Sequence, residues 1–156
     1  MIPRKEANKP MEGYPDVWHR TSLVFVENHL NQFCVQKRSM SKGYCPGWYD
    51  LGFGGAMGPE DFFSGKDPDI LIAQRELNEE LGIFVEELEV LNTHQYQNAE
   101  KTVKLFCSIF HVRSNAEFKF NKQEIDSIEF LSKEQILEKI ESKADITPHS
   151  KECFVK

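Results

Sequence analysis

The sequence predicts an α+β fold, a mixed β-sheet flanked by helices in an α/β/α sandwich. Two observations point to it. Several short runs carry the β-branched and apolar character of strands, and two segments read as capped helices, one mid-chain and one near the end. A third observation narrows it: the strands and helices do not alternate strictly, which disfavours a doubly wound parallel sheet. The 156 residues suit one domain, and a composition of 40% hydrophobic and 28% charged residues is that of a folded globular chain.

Residues 1 to 16 carry three prolines and no periodicity, and read as an N-terminal arm. The first strand runs from Trp18 to Val26 and a second from Gln32 to Gln36. A loop with Gly43, Pro46 and Gly47 leads to a short strand over Tyr49–Phe53, which runs into Gly54-Gly55. After a further loop, Asp67 supplies a helix N-cap, Pro68 the first helical position and Asp69 a negative charge at the positive end of the dipole. The helix runs to Leu81 and stops at Gly82. Val85–His94 and Thr102–Val112 read as strands. The second is almost continuously apolar and is expected at the centre of the sheet. Ile128–Leu131 reads as a short strand. Ser132 and Gln135 form a capping box for a last helix, KEQILEKIE. Residues 17–145 are taken as the domain and 146–156 as a C-terminal tail.

A formal net charge of −6 argues against broad binding to nucleic acid or an anionic membrane. No run of eighteen apolar residues offers a membrane span, and the N-terminus has no apolar signal core. Cys34, Cys45, Cys107 and Cys153 show no zinc spacing and read as reduced thiols, which suits a cytoplasmic protein. Monomer and homodimer are both compatible with the sequence.

The chemistry concentrates on the mid-chain helix. At about 100° per residue, Ile70, Ala73, Leu77 and Leu81 fall on one stripe, expected to face the core. Glu76, Glu79 and Glu80 stand together on another side, at i,i+3 and i,i+4 spacing, with Ile72 out of place beside them. Neighbouring like charges destabilise a helix by a few tenths of a kcal/mol per pair, roughly, and a hard divalent cation removes that cost. Taken alone, the same residues read more readily as a solvated acidic face.

The string Arg75-Glu76-Leu77-Asn78-Glu79-Glu80-Leu81-Gly82-Ile83 resembles the core of the Nudix signature, R-E-U-x-E-E-x-G-U with U a bulky aliphatic residue, at every fixed position. The upstream half, G-x5-E-x7, fits in part. Gly54 and Glu60 have the first spacing, but x7 after Glu60 puts the arginine at position 68 whereas it stands at 75, seven later. Asp67 has the right distance to Arg75 but is not a glutamate. An insertion around Pro59–Lys66 accounts for both, and a surface loop accommodates it easily. Trp18-His19-Arg20, then Val35-Gln36-Lys37-Arg38-Ser39, then Pro46-Gly47 through Gly54-Gly55, resemble the branch related to isopentenyl-diphosphate isomerases.

The resemblance implies a Nudix fold and a Mg²⁺-dependent (or Mn²⁺-dependent) hydrolase of a diphosphate bond in a small phosphorylated substrate, such as a nucleoside diphosphate derivative. It implies that Glu76, Glu79, Glu80 and the Gly54 carbonyl hold metal, and that Arg75 aims Glu79. Glu76, Glu79 and Glu124 are candidates for the base, and Glu100 is a weaker rival. Lys37, Arg38 and Trp48 are candidates for substrate contact, against their reading as a solvated strand end and a core aromatic. His19 reads as a surface or satisfied histidine. Isomerase chemistry is disfavoured, because Phe53 stands where that branch carries a catalytic cysteine and Gly55 where it carries a metal-binding histidine. A non-catalytic Nudix-fold binding module is the remaining alternative.

Overall fold

The structure, a computed structural model, describes residues 18–43, 45–57, 67–99 and 103–155. The arm 1–16, the insertion 59–66 and Glu100 lie outside the described residues. The elements in chain order are β1 (His19–Glu27), β2 (Gln32–Arg38), β3 (Tyr49–Asp50), β4 (Phe53–Ala56), α1 (Pro68–Leu81), β5 (Asn92–Gln97), β6 (Lys104–Arg113), β7 (Ile125–Ser132), α2 (Lys133–Glu141) and α3 (Pro148–Phe154).

The sheet is mixed. β1 pairs in parallel with β6 over its full length, and every other strand pair is antiparallel. β6, the most apolar strand, lies between β1 and the edge strand β5. Side chains alternate across the sheet. Val24, Val26, Phe110 and Val112 pack with Ala73, Leu77 and Leu81 of α1 on one face. Leu23, Phe25, Leu105 and Ile109 pack with Ile136, Ile146 and Cys153 on the other. This is the expected sandwich.

β1 and β2 pair only at Glu27 and Phe33, next to their turn. Farther along, β1 takes β4 as partner, and β2 takes β3 and β7. The sheet therefore splits into two leaves. Residues 50–53 cross the split, and the buried Gln36 amide donates to the Gly52 carbonyl across it at 2.8 Å. The predicted single strand over Tyr49–Phe53 is thus two short strands on different leaves.

Two further expectations are corrected. Residues 85–91 are not a strand, and β5 begins at Asn92. The segment leaves the end of α1 and crosses the rim to the sheet edge. Leu88 is buried there while Glu86, Glu87 and Glu89 face outward. The stretch after Asp145 is not a loose tail. Ile146 bridges to Tyr49, Thr147 N donates to the Tyr49 carbonyl at 2.8 Å, and α3 buries Ser150 and Cys153. Pro148 at the first helical position was the available signal. Among the described residues no disulfide joins the cysteines, and no helix is long and apolar enough to cross a membrane.

Candidate active site

Helix α1 forms as its sequence prescribes. The Asp67 side chain accepts from Asp69 N at 2.9 Å, and Gly82 ends the helix in the left-handed conformation, φ 69°. Its orientation on the sheet is fixed by Asp69. That buried carboxylate takes a two-pronged bond from Arg20 of β1, at 2.9 and 2.8 Å, and a third from Ser108 of β6 at 2.9 Å. Ser22 Oγ donates to the Asp69 carbonyl at 2.7 Å. One acid at the helix start thus pins α1 to two adjacent strands.

The buried stripe of α1 is Asp69, Ile72, Ala73, Glu76, Leu77, Glu80 and Leu81. Ile72 is therefore no misfit, since Glu76 and Glu80 share its side and also face the sheet. Ile70, expected in the core, is only half-buried. The glycine pair makes room for this. A Cβ on Gly55 would run into the Glu76 carboxylate, and one on Gly54 would collide with the Ser22 carbonyl of β1. Only glycines let β4 lie this close to β1 beneath a helix carrying glutamates.

Glu124 arrives from the far side. Lys119 N and Asn121 N donate to the Leu81 and Glu80 carbonyls at the end of α1, at 2.9 and 3.2 Å. Asn121 turns the chain, and Ser39 N donates to the Glu124 carbonyl at 3.1 Å. One carboxylate oxygen each from Glu76, Glu80 and Glu124 lies within 4.8 Å of the others. Glu80 Oε2 is buried without a hydrogen-bond partner. Burial, followed by the charges of Glu76, Asp50 and Glu124, raises the Glu80 carboxyl well above its usual range. Lys42 Nζ lies 3.9 Å from Glu124. Concentrated hard oxygens with a buried unsatisfied atom are a fit for a small divalent cation.

The three carboxylates line a cavity of about 260 Å³ with Arg38, Lys42, Asp50, Gly54, Gly55, Leu105 and His149. Of the residues expected from the sequence, the structure brings together Glu76, Glu80, Glu124, Gly54 and Arg38. Glu79 is exposed and outside the trio. Arg75 lies beside Glu76, its Nε 3.8 Å from Oε1. Lys37 and Trp48 are not in the cavity wall. Lys37 sits between Tyr49 and Ser127 in the sheet ladder, and Trp48 is half-buried. His19 corrects its surface reading. It is buried, its Nε2 has no hydrogen-bond partner, and burial lowers its pKa.

Sequence reasoning missed three members. Lys42 comes from the β2–β3 loop. Asp50 takes a 3.5 Å ion pair from Arg38 and a bond from Gly52 N at 3.1 Å. His149 comes from α3. Only the acid after Trp48-Tyr49 was visible as a signal. Phe53, at the position of the isomerase cysteine, is fully buried in the core against α1.

The NUDIX domain family model matches residues 17–150. This chain belongs to the Nudix family. A Nudix hydrolase of Pseudomonas aeruginosa, PA4841, is 32% identical over 124 residues, which is 79% of this chain and 68% of that protein. A Nudix hydrolase of Deinococcus radiodurans is 26% identical over 143 residues, 88% of this chain and 80% of that one. The crystal structure of DR0079 from D. radiodurans superposes with a TM-score of 0.69 at 26% identity, covering 87% and 80% of the two chains. The Nudix hydrolase of Alicyclobacillus acidocaldarius shares the fold at 14% identity, with a TM-score of 0.69 over 88% and 90%. The Nudix chain is accordingly a hydrolase of phosphorus-containing anhydrides, and its relatives do not set it within the isomerase branch.

Proposed function

We propose that this Nudix hydrolase cleaves the diphosphate bond of a small soluble substrate, with Mg²⁺ or Mn²⁺ held by Glu76, Glu80, Glu124 and the Gly54 carbonyl. The observation that carries the reading is the trio of carboxylates on one cavity wall, with a buried Glu80 oxygen that no group among the described residues satisfies. A divalent ion bound there neutralises phosphate charge and acidifies a water molecule. Arg38 and Lys42 line the same cavity and receive phosphate oxygens, Arg38 aimed by Asp50. Glu124, the most exposed of the trio, takes the proton of the attacking water. Glu79, exposed on the same helical turn and outside the cavity wall, is kept as a further acid of the site on the strength of the Nudix signature alone.

A panel of diphosphate compounds, with products identified by mass, tests the reading. The expected result is release that requires Mg²⁺ or Mn²⁺, and its loss in Glu79→Gln and Glu80→Gln with the fold intact by circular dichroism. Metal-independent turnover, or wild-type rates in both variants, overturns it.

A further inference from the structure

Cys107 of β6 and Cys153 of α3 lie in one apolar cluster, on the sheet face turned away from α1, and both are buried. Their sulfurs share a hydrogen bond. Thr21 of β1, the register partner of Cys107, donates its hydroxyl to the same sulfur at 3.3 Å. Sulfurs already in hydrogen-bond contact need only a short approach to close a disulfide.

The two thiols are not equivalent. The bond from Cys153 lowers the Cys107 thiol, and Thr21 assists against the opposing effect of burial. The same bond, and then burial, raises the Cys153 thiol. Cys107 is therefore the nucleophile of the pair, and Cys153 holds the proton. Cys34 is the contrast, packed on the α1 side of the sheet and pushed up to about 12 by burial. A cavity of about 380 Å³ lies beside the pair, with Phe25, Phe33, Ile109, Phe154 and Cys153 itself in its wall. Helix α3 has seven residues, too few to hold without its packing. Local opening of α3 at that wall exposes both sulfurs to a small molecule in the cavity.

We propose that Cys107 and Cys153 are an oxidisable dithiol, separate from the carboxylate site, which a small hydroperoxide closes to an internal disulfide. The Cys107 sulfur attacks one peroxide oxygen and breaks the O–O bond. For hydrogen peroxide, the departing hydroxide leaves with the Cys107 proton as water, and Cys107 becomes a sulfenic acid. The Cys153 sulfur then displaces that hydroxyl, which leaves with the Cys153 proton as a second water. Two electrons pass from the sulfurs to the peroxide, and one S–S bond forms.

The test treats the full chain with hydrogen peroxide in excess over total thiol. The protein is then unfolded, alkylated with iodoacetamide and digested, and the peptides are weighed. The expected result is the Cys107 and Cys153 peptides joined and two hydrogens lighter than the free thiols, in protein that runs as a monomer on a non-reducing gel. Dithiothreitol restores both thiols, and Cys34 remains alkylated. In Cys153→Ser the Cys107 peptide gains oxygen instead, whereas in Cys107→Ser the Cys153 thiol is still alkylated. Full alkylation of Cys107 and Cys153 after peroxide overturns the proposal. So does a link through Cys34 or Cys45, a link between two chains, or oxidation of Cys153 in Cys107→Ser. Should a serine variant fail to fold by circular dichroism, the wild-type peptide map alone decides.

Discussion

Replacing Glu80 by glutamine stabilises the metal-free protein while removing its response to metal. At 4.8 Å separation, two carboxylate charges repel by about 3.5 kcal/mol at an effective dielectric of about 20. Glu80 has two such neighbours, Glu76 and Glu124. Lys42 and the solvent around Glu124 offset part of this, and partial protonation of Glu80 relieves more. A net gain of about 1–3 kcal/mol remains for Glu80→Gln, or about 3–8 °C in Tm for a chain of this size. The sign with pH follows from the raised carboxyl. The folded state holds a proton that the unfolded state, with its value near 4.5, releases earlier. Wild-type stability contributed by that proton is complete below pH 4.5 and is lost as pH rises through the folded value, so the advantage of Glu80→Gln grows over that window. Thermal unfolding in chelator at pH 5 and pH 8 measures it. Added Mg²⁺ or Mn²⁺ raises the wild-type Tm, and leaves that of the variant almost unmoved. A variant less stable than wild type in chelator at pH 8 would refute the reasoning.

Three more perturbations test the framework. Asp69→Asn weakens the bonds from Arg20 and Ser108 and is expected to cost about 1–3 kcal/mol, read as a lower urea midpoint. An unchanged midpoint would mean that α1 is seated by its apolar stripe alone. Gly55→Ala pushes the Glu76 carboxylate aside, so Mn²⁺ affinity by calorimetry falls about tenfold with the fold intact, and wild-type affinity would contradict the packing. Ile146→Ala, in a fully packed position, is expected to cost about 2–4 kcal/mol. A cost near zero would return residues 146–154 to the status of a tail.

Local rules made the two long helices legible. Asp67, Pro68 and Gly82 act within a few residues of the backbone groups they serve, and so do Ser132 and Gln135, so their effect could be read without a fold. The apolar run of β6 announced a strand covered on both faces for the same reason. The heptapeptide before β5 misled because alternation along a strand has meaning only where a partner offers a ladder. The Arg75–Ile83 string pointed to the right helix and glutamates, yet the wheel alone placed Glu76 and Glu80 away from the core.

The sequence by itself determined which helix carries the acids, where that helix starts and stops, and the family to which the chain belongs. Only the tertiary structure decided which acids meet. Glu124 lies 44 residues beyond Glu80 and reaches it because loop amides satisfy the open carbonyls at the end of α1. Glu79, adjacent in sequence, turns away because each residue rotates the helix by about 100°. His149 and Asp50 both line the cavity because the segment leading into α3 bridges to β3, Ile146 and Thr147 pairing with Tyr49. Such meetings depend on contacts between residues far apart in the chain, which no local pattern encodes.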